Sequence, residues 1–342
     1  MKTIIQILLI MFLATQLQAQ ESCTEKLYHA NNLYEKGQIA EAIEIAKTCA
    51  TSVNSATEQW QAYRLLAMAY LVNNQQKDAR KSAEKMLELN PTYKPSTLKD
   101  PAELISLLES VKIIPKFSMG LAATVGGINT KPIVTGTYNG ANYKKNYSSK
   151  NSWQLGLMMG YNINEIISLH TGLLATSKSF SIKYKVENFD FEVNERLTYL
   201  DVPLFARFST FPVKKFQFFA DAGAYAGRLA SAQSDFTFNN SASSEIKSIK
   251  NLNAMDRRNK WEYGFLMGGG ALYKIGQVNV TLDIRYFLSA YSNNITNTDN
   301  RYKNDNLFYN YYYIDDDLRL NTLAVSLSLI YNVNYKVVKG KD

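Results

Sequence analysis

The stretch "NTLAVSLSLIYNVNY", residues 321–335, alternates from end to end. Side chains of a strand point to opposite faces at a period of two. Leu323, Val325, Leu327, Leu329, Tyr331, Val333 and Tyr335 therefore share one face, and Ala324, Ser326, Ser328, Ile330, Asn332 and Asn334 share the other. A soluble strand runs about five or six residues, so this apolar stripe is longer than an ordinary sandwich core requires. Contact with lipid accounts for the length.

The pattern returns in "VNVTLDIRYFL" (278–288) and "LTYLDVPLFARF" (197–208). In the first, Val278, Val280, Leu282, Ile284, Tyr286 and Leu288 face out while Asp283 and Arg285 face in. In the second, Leu200, Val202, Leu204, Ala206 and Phe208 oppose Asp201 and Arg207. With Asp221 and Glu262 on neighbouring strands, they predict a lumen plugged by a charge network of Asp201, Arg207, Asp221, Glu262, Asp283 and Arg285. An eight-stranded barrel is just wide enough for side chains to fill. Strands are predicted near 116–126, 152–163, 166–184, 194–209, 215–229, 259–275, 277–290 and 319–335. Short turns then fall at 162–165, 210–214 and Gly276, and long loops at 127–151, 185–193, 230–258 and 291–318. Short periplasmic turns and long external loops mark an outer-membrane barrel, and an even strand number puts both barrel ends in the periplasm.

Three segments, "LTYLDVPLFARF", "FQFFADAGAYAGRL" (216–229) and "WEYGFLMGGGALYKIGQVNVTLDIRYFLSA" (261–290), resemble the PorT-type outer-membrane β-barrel proteins of Bacteroidota. The resemblance covers nearly all of 116–335 and implies an outer-membrane barrel. One member of that family is associated with type IX secretion. The "GGG" at 268–270 lies inside a predicted strand, where glycine relieves crowding in the barrel wall.

Upstream the period is helical. "CTEKLYHANNLYEKGQIAEAIEIAKTCATS" and "TEQWQAYRLLAMAYLVNNQQKDARKSAEKMLELNPTY" each break once, at Lys36-Gly37 and at Asn73-Asn74, a period of 37 residues. Ala30, Leu33, Tyr34, Gly37, Ala42, Ala46 and Cys49, and then Ala67, Tyr70, Ala79, Ala83, Met86, Leu89 and Pro91, resemble the packing positions of tetratricopeptide repeats, whose period is about 34. Lys26 stands at the family's tryptophan position, and a third full repeat is absent. "DPAELISLLESVK" (100–112) reads as a capping helix with Asp100 as N-cap and Pro101 at N1. The resemblance implies a concave contact surface at Asn31, Tyr34, Glu35, Arg64, Met68 and Leu71. Cys23 and Cys49, the only cysteines, meet at the open end of an antiparallel hairpin and in an oxidising compartment predict a disulfide.

The expected fold is thus two-domain: an all-α tetratricopeptide-like repeat followed by an eight-stranded antiparallel transmembrane β-barrel. The divisions are 1–19 signal peptide, 20–112 periplasmic helical domain, 113–116 linker, 117–336 barrel and 337–342 tail. The signal peptide rests on Lys2, the apolar run Ile4–Leu13 and Ala19 at a cleavage point. Net charge is +8, yet 21–116 is balanced with twelve Lys/Arg and twelve Asp/Glu. The excess lies downstream, in "YKKNYSSK" (143–150), "KSIKN" (247–251) and "DRRNK" (256–260). An anionic membrane surface suits these charges better than nucleic acid, which an exported protein seldom meets.

His29 and His170 lack partners at metal or nucleophile spacing, and no phosphate loop or G-x-S-x-G motif occurs. Neither enzyme chemistry nor a cofactor is expected. The remaining stretch, "NDNLFYNYYYIDDD" (304–317), is expected on the last external loop. Phe308, Tyr309, Tyr311, Tyr312 and Tyr313 then form an interfacial or external surface, and Asp315, Asp316 and Asp317 bridge cations to lipopolysaccharide or pair with the basic loops. The functional expectation is an outer-membrane anchor or scaffold that presents the repeat to an envelope protein, accessory to a secretion or assembly machine. The alternative is a barrel whose external loops bind a ligand, or a small-solute channel.

Overall fold

The computed structural model describes residues 23–52, 55–136, 144–210, 213, 215–243, 245–290, 295–297, 307, 311 and 313–338. The signal peptide, Phe308, Tyr309 and Tyr312 lie outside them. The chain divides into two compact units, one of residues up to Ile114 together with the end of the chain from Asn334, the other Pro115–Val333.

The first unit holds α1 (Cys23–Glu35), α2 (Ile39–Ser52), α3 (Ala56–Val72), α4 (Gln76–Leu89) and α5 (Ala102–Ser110). Gly37 turns the first hairpin with φ +80°, and Asn74 turns the second with φ 55°. Both conformations are left-handed, which glycine adopts freely and asparagine tolerates better than most residues. Ala30, Ala42, Ala67 and Ala79 are fully buried, so each hairpin closes on small side chains. Cys23 and Cys49 are joined by a disulfide with Cα atoms 5.6 Å apart. The expected N-cap is corrected: Pro101 occupies the cap position of α5, without a side-chain cap bond. Asp100 instead accepts the Tyr93 hydroxyl at 2.5 Å, the Ser96 amide at 3.0 Å and the Arg64 guanidinium at 2.9 and 3.0 Å. Charge-assisted bonds of this kind outweigh one capping bond.

The second unit is an antiparallel sheet of β1 (Ile113–Val134), β2 (Lys145–Asn162), β3 (Ile167–Val186), β4 (Phe189–Ser209), β5 (Phe216–Asn240), β6 (Glu245–Asn253), β7 (Trp261–Ile275), β8 (Val278–Ser289) and β9 (Asp317–Val337). The order β4-β3-β2-β1-β9-β8-β7-β5 closes on itself through a β4–β5 pairing, which makes an eight-stranded ring. β6 adds to β5 alone. Ile113–Lys116, read as a linker, begins β1.

Several strands exceed their expected bounds because the alternation inverts along them. On β4 the outward residues Leu200, Val202, Leu204 and Phe208 are apolar, whereas Asp190, Glu192, Asn194 and Arg196 farther along the same face are polar. The inward face changes oppositely, from Arg207 and Asp201 to Leu197, Val193 and Phe191. An outward apolar stripe therefore locates only the half of the strand that can meet lipid. A crossing needs about 9–11 residues, and β5 has 25. The long loop expected at 185–193 is a tight turn after Val186↔Phe189, with Glu187 at φ 52°. Most of that expected at 230–258 is the extension of β5 together with β6.

The expected short connections gather at the rim where β1 starts and β9 ends, called here the near rim. The far end encloses its own apolar core, which includes Phe180, Ile182, Phe191, Val193, Phe236, Tyr311, Tyr313 and Leu320.

Candidate functional site

On the helical unit, α1 and α3 present one face with two adjoining cavities. One, of 710 Å³, is lined by Tyr34, Met68, Leu71, Val72 and, from α5, Leu104 and Leu107. The other, of 650 Å³, is lined by Tyr28, Asn31, Trp60, Arg64, Tyr93 and Lys99. Five of the six residues expected on a contact surface thus line cavities of ligand-binding size; Glu35 is exposed but lines neither. Met68 is buried, so it floors the groove and does not project from it. Burial, then the Glu103 carboxylate, raises the pKa of Tyr34 and keeps its phenol protonated. Arg64 is held by Asp100 and by the Lys99 carbonyl, which fixes the wall of the second cavity.

In the barrel the six expected lumenal charges are all buried, but they form two clusters. Nearer the near rim, Arg207 donates two bonds of 2.8 Å to Asp221. Arg285 pairs with Asp283 at 2.7 Å and approaches Asp221 at 3.6 Å. Gly268 stands between Asp221 and Arg285 in the ladder, and a Cβ there would meet the Ile284 carbonyl oxygen at 2.6 Å and the Arg285 Cγ at 3.0 Å. His170 stacks on Phe205 at 5.2 Å and shares a 2.9 Å hydrogen bond with Ser168.

The middle cluster joins Asp201 and Glu262 to a residue that the sequence reading did not single out. Lys178 pairs with Glu262, lies over the rings of Tyr199 and Tyr225, and is buried. Its inward position on β3 was legible from the alternation, but the segment carries no apolar stripe at that level to draw notice. Asp201 accepts the Thr176 hydroxyl at 2.6 Å, and Tyr225 donates to Glu262 at 3.0 Å.

The third cluster corrects the expected external surface. Tyr311, Tyr313, Asp315 and Asp316 are buried inside the far end, and Asp317 is partly buried. Arg258 pairs with Glu195 and, at 2.8 Å, with Asp315; Arg257 meets Asp315 at 2.9 Å. Asp316 takes Lys145 at 2.7 Å and the Tyr147 hydroxyl at 2.8 Å. Asp315 therefore pairs with "DRRNK" and Asp316 with "YKKNYSSK", because a buried carboxylate needs a compensating charge, supplied by two guanidinium groups at Asp315 and by the Lys145 ammonium at Asp316. Burial pushes Asp315 up, yet Arg258 and Arg257 more than compensate and hold its carboxyl below the usual range. Among the described residues, no group of three or more His, Cys, Asp or Glu is arranged to hold a metal ion.

A closed antiparallel ring with an outward apolar band and an inward polar fill is the architecture of a membrane barrel. A family model described as outer membrane protein beta-barrel domain matches residues 116–290. The chain belongs to this outer-membrane β-barrel family. The outward band of this outer-membrane β-barrel protein is accordingly its lipid-facing surface, and its location is the outer membrane. No curated protein matches the chain. Solved structures similar to it include OprG from Pseudomonas aeruginosa, at 10% identity and TM-score 0.35, covering 66% of this chain and 97% of that one. OmpW from E. coli gives 16% identity and TM-score 0.31, covering 64% and 98%. Ail from Yersinia pestis, in complex with a heparin analogue, gives 12% identity and TM-score 0.28, covering 63% and 99%.

Proposed function

We propose that the chain is a non-enzymatic outer-membrane anchor of the PorT-type, whose tetratricopeptide-like helical unit lies in the periplasm and binds an envelope protein. The groove along α1 and α3 carries this reading: its two cavities are open, and tyrosine, methionine and leucine line it. The filled lumen supports it, since buried charge clusters occupy the space through which a small solute would pass. The period of 37 between Gly37 and Asn74 supports a repeat, and the disulfide suits an oxidising compartment. Both barrel ends at one rim support a periplasmic near rim, with the far end outside the cell. An accessory role in secretion or barrel assembly follows from the family resemblance alone.

A crosslinking pull-down from native outer membranes tests the reading. Leu71→Glu with Val72→Glu is expected to lose the envelope partner while the barrel still inserts; unchanged capture would refute the groove. One observation favours a second reading, an external ligand site: the far end continues beyond the lipid-facing band and bears β6, which is almost wholly exposed. A soluble ligand captured by intact cells, with no partner at the groove, would select that reading instead.

A further inference from the structure

The outward face of β4, β5 and β7 changes abruptly at the far edge of the lipid-facing band. Along β5 the outward residues are Ala220, Ala222, Ala224 and Ala226, followed by the exposed Arg228. The ladder places Arg228 between Leu200 on β4 and Trp261 on β7, two exposed apolar side chains, and its guanidinium lies 6.0 Å from the Trp261 ring. A cation in an apolar row is tolerated where it reaches the headgroup region, and tryptophan marks that level.

Arg196, also outward and exposed, stands one strand over and higher. It pairs with Gln233 and Leu200 with Arg228, so the two arginines are offset by four residues of β4, roughly 13 Å along the strands. Among the described residues neither arginine has a carboxylate partner. The outward lysines farther out differ: Lys183, Lys185 and Lys247 pair with Glu192, Asp190 and Glu245. Arg228 and Arg196 thus bring positive charge without a carboxylate partner, among the described residues, to the rim of the band, where lipid headgroups lie.

We propose that this face docks a phosphorylated glycolipid of the outer leaflet, with one phosphate at Arg228, a second at Arg196, and an acyl chain along the alanine row. Charge complementarity selects this occupant. A glycerophospholipid offers a single phosphodiester near the band, whereas two guanidinium groups so far apart match a disaccharide headgroup phosphorylated at both ends. The low alanine row lies between Val202 and Leu204 on one side and Tyr263, Phe265 and Met267 on the other, and so leaves a shallow channel for the chain.

The inference rests on the orientation proposed above, which puts the far end outside. Native mass spectrometry of the detergent-solubilised full chain tests it with three probes: bisphosphoryl lipid A, monophosphoryl lipid A and phosphatidylglycerol. Bisphosphoryl lipid A is expected to bind best, and Arg196→Ala with Arg228→Ala to weaken it about tenfold or more, as losing two surface cations implies. Lys183→Ala, which removes a paired cation, is expected to change nothing. Equal retention of phosphatidylglycerol and bisphosphoryl lipid A, or undiminished binding by the double variant with its heat-modifiable barrel mobility intact, would overturn the site. Orientation is read separately, by labelling Lys247→Cys in intact cells with a membrane-impermeant maleimide. Labelling without lipid A preference sinks the docking site alone, and no labelling sinks the orientation.

Discussion

Arg258 and Asp315 meet at 2.8 Å inside the far end of the barrel, both fully enclosed, and tie the last loop to the segment before β7. Removing one partner of a buried pair costs about 3–5 kcal/mol because the other charge is left stranded. Arg258→Ala strands Glu195 and leaves Asp315 to Arg257 alone. Hydrogen exchange is expected to show lost protection at the start of β9 and at β6, with the near half of the barrel unchanged. Uniform protection throughout would mean that the pair does not hold the cap.

The middle cluster makes a sharper electrostatic case, since among the described residues Lys178 is its one cation. Lys178→Met is expected to destabilise the barrel by about 3–5 kcal/mol. Adding Glu262→Gln is expected to recover part of that loss, measured as the coupling term of a double-mutant cycle in a folding assay. Additive losses would show that the two side chains are not energetically paired.

The disulfide closes a separation of 26 residues within the first two helices. Replacing Cys23 and Cys49 by serine is expected to cost the helical unit about 3 kcal/mol. A calorimetric scan with and without reductant checks this: the transition of the helical unit should move and that of the barrel should not.

Asp100 supplies a pH response in the helical unit. Burial raises its pKa, but the Tyr93 hydroxyl, the Ser96 amide and Arg64 together lower it below the ordinary value. A depressed carboxyl contributes stability above the ordinary carboxylate range and loses it as the pH falls through the folded pKa. Acidification below that range is therefore expected to free Tyr93, whose ring meets Trp60 at 5.0 Å, and to change tryptophan fluorescence. Asp100→Asn should flatten that response; an identical acid transition in the variant would assign it elsewhere.

The ring of eight strands was legible because lipid demands an outward apolar residue at every second position, as at Leu323 to Tyr331. The far end was not, because beyond Leu200 the outward face meets water and the apolar residues turn inward, as at Phe191 and Phe236. A rule keyed to lipid contact ends a strand where only its surroundings change. The charges Asp201, Arg207 and Arg285 were legible from alternation, since each lies opposite an apolar stripe. Lys178 and Glu195 belong to the same lumen, but the outward residues around Lys178 are serines and those around Glu195 are polar. Tyr311, Tyr313, Asp315 and Asp316 lie on the last loop as expected but are buried and not exposed, because tyrosine suits both an interface and a core. Burial of Tyr311 and Tyr313 follows from Arg257 and Arg258, whose place beside Asp315 only the folded chain reveals.

The groove on α1 and α3 bears the central functional claim, and site-specific photo-crosslinking in native outer membranes tests it most directly. A crosslinker at Val72, which is exposed and lines the larger cavity, is expected to give one discrete adduct that Tyr34→Ala abolishes. A crosslinker at Lys81, on the exposed side of α4, is expected to give none of that adduct. No adduct at Val72, or the same adduct from both positions, would contradict a binding groove.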